Sequence, residues 1–251
     1  MLEKESRKYD YVCVGFSKTG TTTIWDVLGT HPQICKSKYK ELFVANPSYL
    51  LEEDILRFFS PKQKTKVLIE ATPWFLLKEV FKPVLESIKK NQTIGKIKCI
   101  FVLRDHIKRN NSSLLNCIMN HRKEIIDGEI KSHPNIFHTG GVDHFLRYYS
   151  NISTYYSSMV FLEKEYGKEN ILFLKLEDLN SSDKKINNFL EIEDFKYKWC
   201  KKNDSWNKSI TIEEVKLYNN IINKISEKYL ESTRIIEDDK KKIFNRYGIR
   251  L

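Results

Sequence analysis

One ammonium, Lys18, stands among Ser17, Thr19, Gly20, Thr21, Thr22 and Thr23, with Gly15 three residues ahead of it. Ammonium, hydroxyl and closely approached backbone N–H groups all donate hydrogen bonds, and no side chain in this string carries negative charge. The chemistry it suits is the holding of a phosphate-like anion. Further along, Arg104 and Ser112 make a second donor set. A guanidinium fork and a hydroxyl can approach one anion from two sides. Two separate donor sets of this kind would hold two anionic groups.

The surrounding sequence supplies elements that would position these donors. Tyr11 to Val14 is an apolar, β-favouring run that breaks at Gly15, and Ile24, Val27 and Leu28 recur at helical spacing after Gly20. Strand, tight loop and helix N-terminus together make an anion cradle, because unpaired N–H groups and the positive end of the helix dipole converge there. Ile97 to Leu103 reads as a second buried strand, ending at Arg104-Asp105. The helical pattern that follows (Ile107, Leu114, Leu115, Ile118, Met119) places Ser112 on a helix.

The position of the lysine separates nucleotide classes. A Walker A loop carries its lysine directly after the second glycine, where it reaches the β- and γ-phosphates. Here the Gly15-to-Gly20 spacing matches, but Thr21 fills that place and Lys18 lies inside the loop. Asp105 directly follows Arg104, which leaves no clear strand-end aspartate for Mg²⁺. A P-loop kinase is disfavoured on both counts, and a non-catalytic nucleotide-binding or nucleic-acid-binding module is the alternative from another class.

Lys18-Thr-Gly-Thr-Thr22 resembles the 5′-phosphosulfate loop of the sulfotransferases that use 3′-phosphoadenosine 5′-phosphosulfate (PAPS). Arg104 with Ser112 eight positions later resembles the 3′-phosphate motif of the same family, with His106 where members usually carry proline. Lys40-Glu41-Leu-Phe43, followed by Tyr49-Leu50 and Phe58-Phe59, resembles a segment of the glycan-modifying branch, and the resemblance makes Glu41 the general base for the acceptor hydroxyl. Glu70-Ala-Thr-Pro-Trp-Phe75 is similar to a segment bordering the acceptor cleft, so Glu70, Trp74 and Phe75 are implied substrate contacts and Glu70 an alternative base. Ala71 stands where a lysine that meets acidic sugars is usual. Asn207-Lys-Ser209 resembles a C-terminal cofactor loop, with Lys208 or Ser209 at the 3′-phosphate. If Glu41 is not the base, His106, His121, His133, His138 or His144 is the fallback.

The resemblance implies an α/β fold, a single domain over residues 1–251 whose central, mainly parallel sheet is flanked by helices and related to the P-loop nucleotide folds. It implies Ser17, Lys18, Thr19, Gly20, Thr21, Thr22 and Thr23 at the 5′ end of the cofactor, PAPS as cofactor with adenosine 3′,5′-bisphosphate (PAP) as product, and no metal. Later segments agree: a helix over Asp143 to Tyr166, a strand over Ile171–Leu176 closing with Glu177-Asp178-Leu179, a short helix over Lys184–Leu190 and a closing helix over Ile212 to Tyr229. His31 in Leu28-Gly-Thr-His-Pro reads as part of a structural turn.

Composition sets the bounds. The 251 residues suit one α/β domain, and 43 Lys+Arg against 33 Asp+Glu give a net charge of +10, which steers anions toward a cleft. The lysines are spread among acidic residues and form no basic arm, which argues against nucleic acid. Five cysteines, odd in number and with no C-x-x-C spacing, point to a reducing compartment without disulfides or a zinc site. The charged start leads straight into the first strand without a signal-like or membrane-spanning stretch, and the sequon Asn110-Asn-Ser112 falls inside the second donor set. The expected setting is therefore cytoplasmic, with no membrane partner and a small-molecule acceptor such as a natural product or sugar. A glycan acceptor is the alternative.

Overall fold

The computed structural model describes residues 9–15, 18–42, 55–72, 88, 94–109, 112, 154–200, 216 and 234–251. The chain divides into two compact units, one of Met1–Leu103 with Val160–Asn203 and one of Arg104–Met159 with Asp204–Leu251.

The first unit holds a five-stranded sheet. Strands β1 (Tyr9–Gly15), β2 (Ile34–Lys36), β3 (Val67–Glu70), β4 (Ile94–Leu103) and β5 (Ile171–Lys175) pair in parallel in the order β2-β3-β1-β4-β5. Tyr11, Val12, Cys13 and Val14 at its centre have no exposure, as a strand covered on both faces requires. β1 and β4 start earlier than their apolar runs suggest because polar groups join the ladder. The Asp10 N–H donates to Lys66 O at 3.0 Å, and the Lys96 N–H donates to Asp10 Oδ1 at 3.0 Å. Strand β2 escapes the sequence pattern because three residues are too few to show a period.

Helix α1 (Thr21–Leu28) carries the chain from β1 to β2. Its Ile24, Val27 and Leu28 pack with Val12 and Val14 of β1, Val67 and Ile69 of β3, Ile100 and Val102 of β4, and Leu172 and Leu174 of β5. Each such side chain, fully buried, is worth about 1.5–3 kcal/mol. Strand alternation turns Tyr11, Cys13, Glu70 and Cys99 to the opposite face, since Cys13 is in register with both Glu70 and Cys99. From β1 the chain goes outward to β2 and returns to β3 on one side, while β4 and β5 lie on the other. The carboxyl ends of β1 and β4 therefore form the topological switch point, where open α/β sheets bind ligands.

Helix α2 (Tyr156–Tyr166) follows the nonhelical residues Thr154 and Tyr155, so the helix expected over 143–166 does not run unbroken. Its start is fixed by a distant carboxylate: the Tyr155 and Tyr156 N–H groups donate to Asp239 Oδ2 and Oδ1 at 2.9 and 3.1 Å. The strand expected to reach Leu176 gives way there to a 3₁₀ turn (Leu176–Ser181), and α3 (Asp183–Leu190) matches the short helix expected nearby. Helix α4 covers residues 234–247 and includes Lys240, Lys241 and Lys242. Nearly all of the closing helix expected over 212–229 lies outside the described residues, Lys216 alone being described, and helical.

Candidate active site

The end of β1 is built for close approach. A Cβ on Gly15 would sit 2.1 Å from Phe101 Cε1, so the ring on the neighbouring strand leaves room only for glycine. Beyond it, Lys18 has φ 62° and Gly20 φ 92°, both left-handed. That conformation costs an L-residue about 1–2 kcal/mol, which Lys18 bears and Gly20 avoids. A Cβ on Gly20 would also meet Leu176 Cδ1 at 2.8 Å.

The first intrahelical bond of α1 runs from the Ile24 N–H to Gly20 O at 3.0 Å. The N–H groups ahead of it have no intrahelical acceptor, the N-cap Gly20 has no side chain to offer one, and the first turn contains no acidic residue. The positive end of the helix dipole there favours an anion. Thr19, Thr21 and Thr23 are buried, Lys18 and Thr22 half-buried, and Ser17 lies outside the described residues. Strand, left-handed loop and helix start thus follow one another in the order that the sequence spacing implies.

Glu41 is brought to the same sheet edge by backbone pairing. After β2 the Ser37 N–H donates to Ile69 O at 2.9 Å and the Glu41 N–H to Ala71 O at 3.1 Å, so this segment tracks β3 to its carboxyl end. Ser37 ties it to α1, accepting from Trp25 Nε1 at 3.0 Å. Glu41 has φ 63°, and Lys40 Nζ lies 2.8 Å from its Oε1.

Glu70 ends β3 with no exposure. Its Oε2 accepts from the Thr72 hydroxyl at 2.7 Å, and its Oε1 has no hydrogen-bond partner among the described residues. Burial above all, with the Glu41 carboxylate adding to it, pushes the Glu70 carboxyl up to about 8 against the pull of its bonds to Thr72. A neutral carboxylic acid beside a second carboxyl group is one arrangement by which two like residues take different roles. Trp74 and Phe75 lie outside the described residues.

In the second unit, Arg104 opens the turn after β4. Its carbonyl accepts from the Tyr155 hydroxyl at 3.0 Å, and its N–H donates to the same oxygen at 3.4 Å. Ser112 is helical and half-buried. His106 is fully buried, with Nε2 2.9 Å from Asp239 Oδ2. It is thus committed to a structural contact rather than open to a substrate. Lys208, Ser209, His121, His133, His138 and His144 lie outside the described residues. Among the described residues no group of three or more His, Cys, Asp or Glu is placed to hold a metal ion, and no helix is long and apolar enough to cross a membrane.

The family model for the sulfotransferase domain matches residues 8–216. The chain belongs to the sulfotransferase domain family. The crystal structure of a sulfotransferase from Alicyclobacillus acidocaldarius is similar at TM-score 0.61 and 14% identity, covering 97% of both chains, a likeness of fold. Mouse sulfotransferase SULT7A1 complexed with PAP matches at TM-score 0.44 and 20% identity over 84% of this chain and 66% of that one. The sulfotransferase domain from the curacin biosynthetic pathway matches at TM-score 0.44 and 11% identity over 74% and 75%. No curated protein matches the sequence.

The expected family and parallel α/β architecture are therefore those observed, and the sulfotransferase is a transferase enzyme. What the sequence reading missed is the long-range framework of the second unit. Tyr155 was unmarked within the helix expected over 143–166, and Asp239 carried no signal at all, because nothing local marks a residue whose partners lie 84 and 133 positions away.

Proposed function

We propose that this sulfotransferase takes its sulfuryl group from PAPS and passes it to a hydroxyl or amine of a small-molecule acceptor, a natural product or simple sugar. The observation that supports the reading is the acid-free N-terminus of α1 with glycine at its N-cap, behind a left-handed Lys18 and at the switch point of the sheet. That cradle, which a Cβ on Gly20 would crowd, suits a phosphate and fits the donor's 5′ end. When bound, PAPS supplies a sulfuryl group joined to its 5′-phosphate through a bridging oxygen, and PAP is left after transfer.

The chain's own residues then divide the work. Lys18 supplies positive charge at the leaving oxygen, while Ser17, Thr19, the N–H groups from Gly20 to Thr23 and the Thr21 and Thr22 hydroxyls hold the 5′-phosphate. A preorganised donor of this kind is worth about 2.7–4 kcal/mol. Arg104 and Ser112 hold the 3′-phosphate, with Lys208 or Ser209 beside them. Glu41 takes the acceptor proton, worth roughly 10²–10⁴-fold. Glu70, neutral at pH 7, faces the acceptor with Trp74 and Phe75. This chemistry calls on no metal, and we assign it to one domain over residues 1–251 working in the cytoplasm.

Calorimetric titration without Mg²⁺, using PAP and ATP in parallel, tests the reading. Tight binding of PAP with weak binding of ATP supports it, and Arg104→Ala should then weaken PAP by about 10–100-fold. A preference for ATP, or binding of neither, overturns it. Turnover with PAPS against panels of small hydroxyl compounds and of glycans distinguishes the two acceptor classes.

A further inference from the structure

Arg104 is the first residue past β4. Both its N–H and its C=O are met by one side-chain oxygen, the Tyr155 hydroxyl, at 3.4 and 3.0 Å. Tyr155 has no exposure. Burial pushes its hydroxyl up from the ordinary tyrosine value, against the nearby Arg109 and Arg104 charges, so it stays protonated and able to donate.

The ring is held from several sides. The His106 ring packs edge-on with centroids 4.8 Å apart, and the Arg109 guanidinium lies 4.7 Å from the ring centre. Its backbone is pinned as well, because the Tyr155 N–H donates to Asp239 Oδ2 at 2.9 Å. The same oxygen is 2.9 Å from His106 Nε2, and Asp239 Oδ1 accepts from the Tyr156 N–H at 3.1 Å. A carboxylate only accepts, so Nε2 carries the proton. His106 Nδ1 is left buried and without a hydrogen-bond partner among the described residues.

We propose that Asp239, His106 and Tyr155 form a positioning cluster that fixes the backbone of Arg104, and with it the guanidinium that reads the donor's 3′-phosphate. The inference rests on the assignment of Arg104 made above. A hydroxyl that clamps both backbone groups of one residue removes its freedom to pivot about the strand end. Asp239 in turn prevents Tyr155 from sliding along α2, because it holds the first N–H groups of that helix. None of the three need touch the nucleotide. Their effect on binding is confined to the group that Arg104 contacts, and a substitution should therefore be felt by one phosphate and not the other.

The test compares PAP with adenosine 5′-monophosphate, which lacks the 3′-phosphate, by calorimetry on the full chain. The wild type should prefer PAP. Tyr155→Phe keeps the ring and removes only the oxygen, and should cut that preference about five- to tenfold while leaving monophosphate affinity unchanged. In steady state, the KM for PAPS should rise by a larger factor than kcat falls. Asp239→Asn should move the preference in the same direction, and Tyr155→Phe carries the test if that variant fails to fold. Full retention of the preference in Tyr155→Phe, or equal weakening of both nucleotides, overturns the cluster while leaving the donor reading intact. A wild type with no preference for PAP overturns the assignment of Arg104 and this inference together.

Discussion

The Lys18 loop and the Arg104 turn both begin where a parallel strand ends, yet they are held in different ways. The loop is made by its own stretch of chain. A left-handed Lys18, a left-handed Gly20 and an acid-free helix start all lie within eight residues of Gly15. The Arg104 turn has no such local frame. Its backbone is fixed by Tyr155, 51 positions away, which is itself fixed by Asp239, a further 84 positions on. An anion site built from backbone N–H groups can thus be carried by a short motif. One built from a long side chain needs a buried framework to aim it, so its sequence requirements are scattered.

This contrast sets the scale of expected effects. Removing the ammonium with Lys18→Ala should lower turnover with PAPS by about 10²–10³-fold while PAP binding changes far less, because the charge matters most as the leaving oxygen becomes anionic. Single-turnover kinetics beside calorimetry separate the two, and equal losses in both would mean that Lys18 only binds.

Glu70 gives the next largest effect, and it is one of stability. Its folded value of about 8 lies above its ordinary one, so the stability it contributes is full below about pH 4.5 and is lost as pH rises through about 8. Between pH 5 and pH 7 the wild type should lose roughly 2–3 kcal/mol from this group, and Glu70→Gln should remove that slope in urea unfolding. A slope unchanged by the substitution would show that the carboxyl ionises without penalty.

Gly20→Ala should follow, with a cost of about 1–2 kcal/mol from the left-handed backbone. The loss should be concentrated in 5′-phosphate affinity, read as weaker binding of adenosine 5′-monophosphate. An alanine variant that binds it normally would sever the loop's conformation from its chemistry.

The smallest effect is expected at Glu191, the remaining left-handed non-glycine among the described residues, with φ 56°. Here a helix end explains the backbone, since Glu191 follows α3 and its N–H bonds Asn188 O at 3.2 Å. Its Oε1 meets Lys98 and Lys96, each at 2.9 Å, and those bonds hold its exposed carboxyl down at about 2. Glu191→Gln should alter stability by less than about 1 kcal/mol and turnover not at all, because the pair is largely solvent-screened and Lys98 keeps Asp10 and Phe189 O. A turnover loss there would blur the distinction between left-handed residues at helix ends and those in the site.

Much of the fold was legible because parallel strands buried on both faces write themselves as apolar runs. Tyr11–Val14, Ile97–Leu103 and Ile171–Leu176 each mark a strand to within a few residues. Where the runs misled, polar residues were at work: Asp10 and Lys96 extend their strands through backbone and side-chain bonds that hydrophobicity cannot register. The two carboxylates show the same limit. Lys40-Glu41 reads as an ordinary charged pair until the backbone of residues 37–41 is seen to follow β3. Glu70 reads as a strand-end polar residue until its complete burial is known.

By itself the sequence determined the family and the local form of the Lys18 loop. Gly15, Lys18, Gly20 and the threonines fix a local backbone and its hydrogen-bond donors, and local geometry depends only on neighbours in the chain. Tertiary structure alone decided that Glu70 is a buried, neutral acid. It alone set Glu41 at the same sheet edge as Lys18 and placed Tyr155, His106 and Asp239 around the backbone of Arg104. Those outcomes depend on desolvation and on contacts between segments far apart in sequence, and neither quantity exists until the chain has folded.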